Sequence, residues 1–221
     1  MIQAITLGFV NVYLVDVKDG FILIDTALPG QRERLERELA AAGVVPGNLK
    51  LVVITHGDWD HTGNAALVQE TYKAKIAIHA DDAYLCEQPT MLKRKVRPFM
   101  LAVIFAVMRR MSRLQGGRRR LRPFKPDILL SEGQDLGAYG FNAKVVHLPG
   151  HTKGSIGILT AEGDLFAGDT YVNRGQPVGA QIILDETALE ETFARLEGMD
   201  FKMVYPGHGT PFPKERLHEG H

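Results

Sequence analysis

Apolar and polar positions along this chain change their period several times, and each change marks an element. Tyr13 to Val17 and Phe21 to Asp25 are short apolar-rich runs separated by Lys18-Asp19-Gly20, which predicts two strands joined by a turn. From Gln31 to Ala42 the spacing becomes helical, with Leu35 and Leu39 on one face and Gly43 placed to stop the helix. A strand at 51–54, a helix near 62–72 and a strand at 75–79 follow. In the second half, 128–130, 141–148, 155–160, 164–167 and 202–205 predict strands, and Glu186 to Glu197 predicts a helix. Strands gathered ahead of the helices in each half predict an α+β chain: two sheets face to face with helices outside, a four-layer αββα sandwich.

The densest chemistry follows the apolar run Leu51-Val52-Val53-Ile54. His56-Gly57-Asp58-Trp59-Asp60-His61 places four potential metal ligands within six residues, where a buried strand gives way to a loop. Imidazole with carboxylate suits zinc, iron or manganese. Three further candidates, His151, Asp169 and His208, each follow a glycine, and glycine allows a sharp turn that aims the next side chain off a strand end. One tetrahedral ion needs four ligands. These residues number seven, which two adjacent ions sharing one carboxylate would use.

The motifs Thr55-His56-Gly57-Asp58-Trp59-Asp60-His61, Gly150-His151-Thr152, Gly168-Asp169-Thr170 and Gly207-His208-Gly209 resemble, in order and context, those of the metallo-β-lactamase superfamily. The resemblance covers nearly the whole chain and implies the same four-layer sandwich, with the site at one edge where strand ends meet. It implies that His56, Asp58 and His151 hold a first metal, that Asp60, His61 and His208 hold a second, and that Asp169 bridges them. Position 58 departs from the pattern, because most of the family has His there. Aspartate is shorter, so reaching the first ion calls for backbone adjustment. Its extra negative charge would weaken the site as a Lewis acid and favour harder ions. A dinuclear site with one weaker position, or a site that is not for zinc, is the expectation. Flavodiiron-type proteins resemble the pattern with Glu at the second position, and DNA-uptake channel proteins resemble it with Asp.

The expected cofactors are therefore two divalent ions, zinc foremost, with manganese and iron as alternatives. The expected activity is that of a metal-dependent hydrolase. A metal-bound hydroxide would cleave an ester, lactone or thioester, with an anionic or acyl portion to the substrate. A phosphodiesterase or nuclease-type hydrolase, a diiron redox protein, and a catalytically impaired membrane- or partner-binding module are the alternatives. Asp60 is expected to orient the attacking group or relay a proton. Tyr171, two residues beyond Asp169, is a candidate oxyanion donor, against a packing role beside Trp59. Thr152 and Ser155 read as turn and strand-start residues, His79 and His147 as structural histidines, and Cys86 as a packed thiol in a helix.

Composition changes this picture at one place. The 221 residues are enough for one large domain over 1–221 and carry a formal net charge of zero. A single cysteine excludes an intrachain disulfide, which fits a cytoplasmic setting. Met1-Ile2-Gln3-Ala4-Ile5 lacks the start of a signal peptide. Between Gln88 and Pro126, however, there are twelve Lys or Arg residues and no acidic residue, which leaves −12 on the remainder. The same segment holds the apolar run Phe99 to Met108. Over 88–126 we expect a helical lid insertion, one or two helices covering the site, with Arg109, Arg110 and Arg113 beyond the apolar turn. Such a segment would wall a small-molecule substrate, rest peripherally on an anionic membrane surface, or pack in a homodimer. Nucleic acid is disfavoured, since no aromatic platform accompanies Gly116-Gly117-Arg118-Arg119-Arg120.

Overall fold

The computed structural model describes residues 1–90, 92–97 and 121–218. Its first sheet takes β1 (Ile2–Leu7), β2 (Val10–Val17), β3 (Gly20–Ile24), β4 (Leu49–Val53), β5 (Lys75–His79) and β7 (Ile128–Leu130), in the order β1-β2-β3-β4-β5-β7. The first three strands pair antiparallel, and the ladder from β3 to β7 is parallel. The second sheet runs β14 (Phe212–Pro213), β13 (Met203–Gly209), β10 (Asp164–Asn173), β9 (Ile156–Thr160), β8 (Ala143–His147), with β11 (Pro177–Gly179) added to β10. A separate ribbon pairs β6 (Lys95–Val96) with β12 (Ile182–Ile183).

Alternation along the strands explains the layering. In β3 and β4, Ile22, Ile24, Leu51 and Val53 point towards the other sheet, where they meet Phe141, Val145, Ile156, Ile158 and Phe166. Their neighbours Leu23 and Val52 point the other way, onto Leu35 and Leu39 of α1 (Arg32–Ala41) and Ala65 and Val68 of α3 (Ala65–Tyr72). Strands buried on both faces read as unbroken apolar runs, which is why these segments lack a polar face in the sequence. Beyond the second sheet, Leu196 of α5 (Glu186–Glu197) packs with Phe201, Val204 and Phe212. Helix, sheet, sheet, helix is the expected four-layer order. Cys86 lies buried in α4 (Ala83–Glu87), and burial pushes its thiol up to about 12, so it is a packing group rather than a nucleophile.

Three sequence expectations change. The strand β1 was not anticipated, and β10 and β13 run well past 167 and 205 to carry their ligand residues inside the strand. Pairing extends them: β10 and β13 lie parallel, with register shifts at Phe166/Gly168 and Gly168/Val172 around Asp169. The lid expected over 88–126 falls largely on 98–120, outside the described residues, together with Phe99 to Met108 and Arg109, Arg110 and Arg113. Its described flank is not helical: Lys95–Val96 is strand, because its backbone pairs with Ile182–Ile183. No helix among the described residues is long and apolar enough to cross a membrane.

Candidate metal centre

The seven predicted ligands converge at one edge of the sandwich. His56, Asp58 and His151 form one group, Asp60, His61 and His208 a second, and His56, His61 and Asp169 a third. Within each group the ligand atoms lie within 4.8 Å of one another. The shortness of Asp58 does not keep it away, since its Oδ2 is 3.1 Å from His151 Nε2 and 3.7 Å from His56 Nε2. Asp169 lies centrally. Its Oδ1 is 3.3 Å from His61 Nε2, and its Oδ2 is 3.1 Å from His208 Nε2 and 3.8 Å from His151 Nε2. Asp60 Oδ2 stands 3.6 Å from His208 Nε2.

Different elements aim these groups. The 55–61 loop leaves β4 and enters the short α2 (Trp59–Thr62), whose start carries Asp60 and His61. His151 follows Gly150, at φ +137°, and Asp169 follows Gly168, at φ +50°. Both are left-handed positions that favour glycine, as the sequence pattern led us to expect. Gly207 has a different reason. A Cβ there would lie 2.3 Å from Asp169 Oδ1 and 2.7 Å from His61 Cε1, so the position needs space rather than an unusual φ. We expect Gly207→Ala to displace both groups while the fold, followed by circular dichroism, is retained. Any metal-dependent turnover should fall roughly 100-fold, as for a reacting group misplaced by about 1 Å.

All four imidazoles are anchored through Nδ1 and turn Nε2 inward. His61 Nδ1 donates to Asp25 Oδ2 at 2.8 Å, His151 Nδ1 to the Ile182 carbonyl at 2.6 Å, and His208 Nδ1 to the Phe9 carbonyl at 2.7 Å. Thr55 Oγ1 gives its own proton to Asp25 Oδ2, so it accepts from His56 Nδ1 at 3.0 Å. This arrangement fixes the tautomer that leaves each Nε2 lone pair facing the centre. Among the described residues, His56 Nε2, His61 Nε2 and Asp169 Oδ1 are buried without a hydrogen-bond partner. Orphaned lone pairs are costly to bury, and here they point at one another's neighbourhood. A cation would satisfy them, and the donor set fits zinc, iron or manganese.

Electrostatics agree. Burial works to raise the Asp169 carboxyl, but His208 and His61 outweigh it and hold it well below the usual range. Burial likewise opposes the low value of Asp58, which the neighbouring His151 and His56 imidazoles overcome. Burial alone would lower His61, yet Asp25 and Asp169 hold it well above its ordinary value. Carboxylates flanking an imidazole in this way attract any cation to Nε2.

Several residues that position the ligands escaped the sequence reading. Asp25 follows β3 at φ +62° and accepts from Thr55 N and Oγ1 as well as from His61. Asp82, buried, accepts from Gly57 N at 2.8 Å, Gly154 N at 2.9 Å and Thr152 Oγ1 at 2.7 Å, and so ties the first ligand loop to the turn after His151. Asn11 Nδ2 and Tyr13 Oη both donate to the Pro206 carbonyl, fastening the first sheet to β13 just ahead of His208. Arg94 Nη1 donates to Asp58 Oδ2 at 2.7 Å and to His151 Nε2 at 3.1 Å, while Nη2 donates to Asp58 Oδ1.

The placement of Tyr171 corrects an expectation. Its ring stacks on Phe193 at 5.3 Å and meets Phe212 edge-on, in the apolar layer under α5 rather than beside Trp59. Burial pushes its hydroxyl pKa up. The packing of β10 turns it away from the role of oxyanion donor. His79 and His147 stack face to face, 4.2 Å apart with planes 8° from parallel, and Asp81 is nearby. Lone pairs lie in the ring planes, so two parallel stacked rings cannot converge on one ion as they stand.

The profile of the metallo-beta-lactamase superfamily matches residues 5–208. The chain belongs to that superfamily. It is 32% identical over 207 residues to a probable metallo-hydrolase of Methanocaldococcus jannaschii, covering 90% of this chain and 87% of that one. It is 31% identical over 149 residues to the hydroxyacylglutathione hydrolase GloC of Haemophilus influenzae, covering 66% of this chain and 59% of the relative. A crystal structure described as a di-iron-bound form superposes with a TM-score of 0.70 at 25% identity, over 99% of this chain and 96% of that chain. The chain spans between 59% and 64% of the length of three curated relatives that it matches. For a metallo-beta-lactamase superfamily member, the αββα layering and the edge location of the ligands are the superfamily's own architecture.

Proposed function

We propose that this chain is a metal-dependent hydrolase that cleaves an ester, lactone or thioester bond. The observation that carries the reading is the set of inward-facing, unpartnered lone pairs of His56, His61 and Asp169, ringed by Asp58, Asp60, His151 and His208. Two divalent ions, zinc first, are the cofactors we assign to these seven residues. His56, Asp58 and His151 would hold one, Asp60, His61 and His208 the other, and Asp169 would lie between. When bound, such ions supply an acidic water and a polarising charge at neutral pH, so no side-chain nucleophile is required.

The chain's own groups do the rest. Asp60 has a partly exposed carboxylate 3.6 Å from His208 Nε2, placed to orient a water and to accept its proton at Oδ2. Phe9 is exposed and stacks on His208 at 5.7 Å, and Trp59 is exposed between Asp58 and Asp60. Two exposed aromatic rings beside the ligands offer an apolar wall for an acyl group. The similarity to a hydroxyacylglutathione hydrolase supports a thioester within this class.

The test is a panel of thioesters, lactones, aryl esters and phosphodiesters, assayed with metal-stripped protein and after adding zinc, manganese or iron(II). Hydrolysis of a carboxylic substrate that depends on added metal and vanishes in His61→Ala is the expected result. Turnover of phosphodiesters alone would replace the substrate class. Hydrolysis that survives in His61→Ala would detach the activity from this centre.

A further inference from the structure

The two halves of the centre are not equally open. Around Asp60, His61 and His208, the lone pairs on His61 Nε2 and on the neighbouring Asp169 Oδ1 make no hydrogen bond among the described residues. Around His56, Asp58 and His151, His56 Nε2 is likewise unpartnered, but both Asp58 oxygens and His151 Nε2 are already used by one side chain. Arg94 spans both oxygens of Asp58 with its two Nη groups, and Nη1 also donates to His151 Nε2. His151 Nδ1 is committed to the Ile182 carbonyl, so Nε2 is the lone pair it would offer a metal, and Arg94 points a proton at it. The Arg94 side chain is only 11% exposed, and Asp58 is 12% exposed. Burial works against the charge on Arg94, and Asp58 more than compensates. A buried, two-pronged arginine–carboxylate pair is among the stronger polar contacts available to a protein.

The segment that carries Arg94 is built to stay there. Its next residues, Lys95–Val96, pair antiparallel with Ile182–Ile183, and Arg97 N donates to the Gln181 carbonyl at 2.7 Å. Lys95 Nζ lies 2.7 Å from Glu186 Oε2, and Arg97 reaches Oε1 of the same carboxylate. The strand that seats this strap is the one whose Ile182 carbonyl orients His151. Ligand and guanidinium are therefore held to one short ribbon.

We propose that Arg94 is an internal cation that competes with metal for the His56–Asp58–His151 position. On this view the chain fills the Asp60–His61–His208 position first and takes a second ion only when the guanidinium withdraws from Asp58. The proposal rests on the metal reading of the seven ligands and adds to it an order of filling. It also gives the weaker position a cause beyond the length and charge of Asp58: a fixed positive group already neutralises that carboxylate.

Calorimetric titration of metal-stripped wild-type protein and Arg94→Gln with zinc, repeated with cobalt(II) and followed by its visible absorption, tests this directly and needs no substrate. The wild type should bind in two resolved steps. In Arg94→Gln the first step should be unchanged and the second strengthened about 10- to 100-fold, the worth of one charged hydrogen-bonded pair. Arg94→Lys, which keeps the charge but cannot span both oxygens, should fall between them and serves if Arg94→Gln does not fold. Two equal sites in the wild type, or a second step indifferent to both substitutions, would overturn the proposal while leaving the metal centre standing. Absence of binding by any of the proteins would remove the proposal and the metal centre together.

Discussion

Asp169→Ala is expected to abolish metal-dependent turnover. Its loss should exceed the roughly 100-fold that an outer hydrogen-bond partner of a ligand costs. The reason is position. One carboxylate sits 3.3 Å from His61 Nε2, 3.1 Å from His208 Nε2 and 3.8 Å from His151 Nε2, so removing it takes negative charge from both halves of the centre at once. Equilibrium dialysis against zinc, with the metal counted per chain, is the measurement. Wild-type stoichiometry in Asp169→Ala would contradict the bridging position.

The same substitution should reshape the stability of metal-stripped protein. His61 and His208 are held above their ordinary value of 6.5, so their contribution is fully present below pH 6.5 and is lost as pH rises through the raised values. Asp58 and Asp169 are held below their ordinary value of 3.8, so theirs is present above pH 3.8 and is lost as pH falls through the depressed values. Both act together between these limits. The melting temperature of stripped wild-type protein should therefore be highest between pH 3.8 and 6.5, and Asp169→Ala should flatten that maximum.

Asp25→Asn should weaken metal binding about 10- to 100-fold without removing any ligand. Asp25 Oδ1 accepts from Thr55 N, and Oδ2 accepts from Thr55 Oγ1 and His61 Nδ1, each at 2.8 Å. An amide cannot do all of this. With its oxygen on Thr55 N, its NH2 group faces His61 Nδ1 and favours the tautomer with the proton on Nε2, the atom that must stay free. Flipped over, it sets two donors against each other at Thr55 N. Competition against a chromophoric chelator would measure the loss. An unchanged affinity would mean that His61 is oriented by its packing rather than by Asp25.

Much of the centre was legible along the chain because its ligands lie within local motifs. The 56–61 cluster sits in six consecutive residues, and His151, Asp169 and His208 each stand directly behind a glycine. Two of those glycines have the left-handed backbone that the pattern implied. Asp25 could have been found by the same logic, since it ends the apolar run Phe21-Ile22-Leu23-Ile24 as the ligands end theirs. Arg94 could not. It is one of twelve cations in a stretch without acids, and nothing local separates it from its neighbours Lys93 and Lys95. The packing of Tyr171 on Phe193 and Phe212 was not legible, because nearness to Asp169 in sequence says little where the β10 register shifts.

The sequence by itself determined most element types, though not β1 or the Lys95–Val96 strand, together with the four-layer order and the identity of the seven clustered side chains. These depend on periodicity and covalent adjacency, which a linear chain displays. Only the tertiary structure decided which carboxylates serve the ligands, that Asp82 and Asn11 tie distant loops together, and that a guanidinium lies across Asp58. Such partners are distant in sequence: 70 residues separate Asp82 from Thr152, 195 separate Asn11 from Pro206, and 36 separate Asp58 from Arg94. A buried polar group must find its hydrogen bonds wherever packing brings a partner, and that choice is made by the folded layers rather than by the local run of residues.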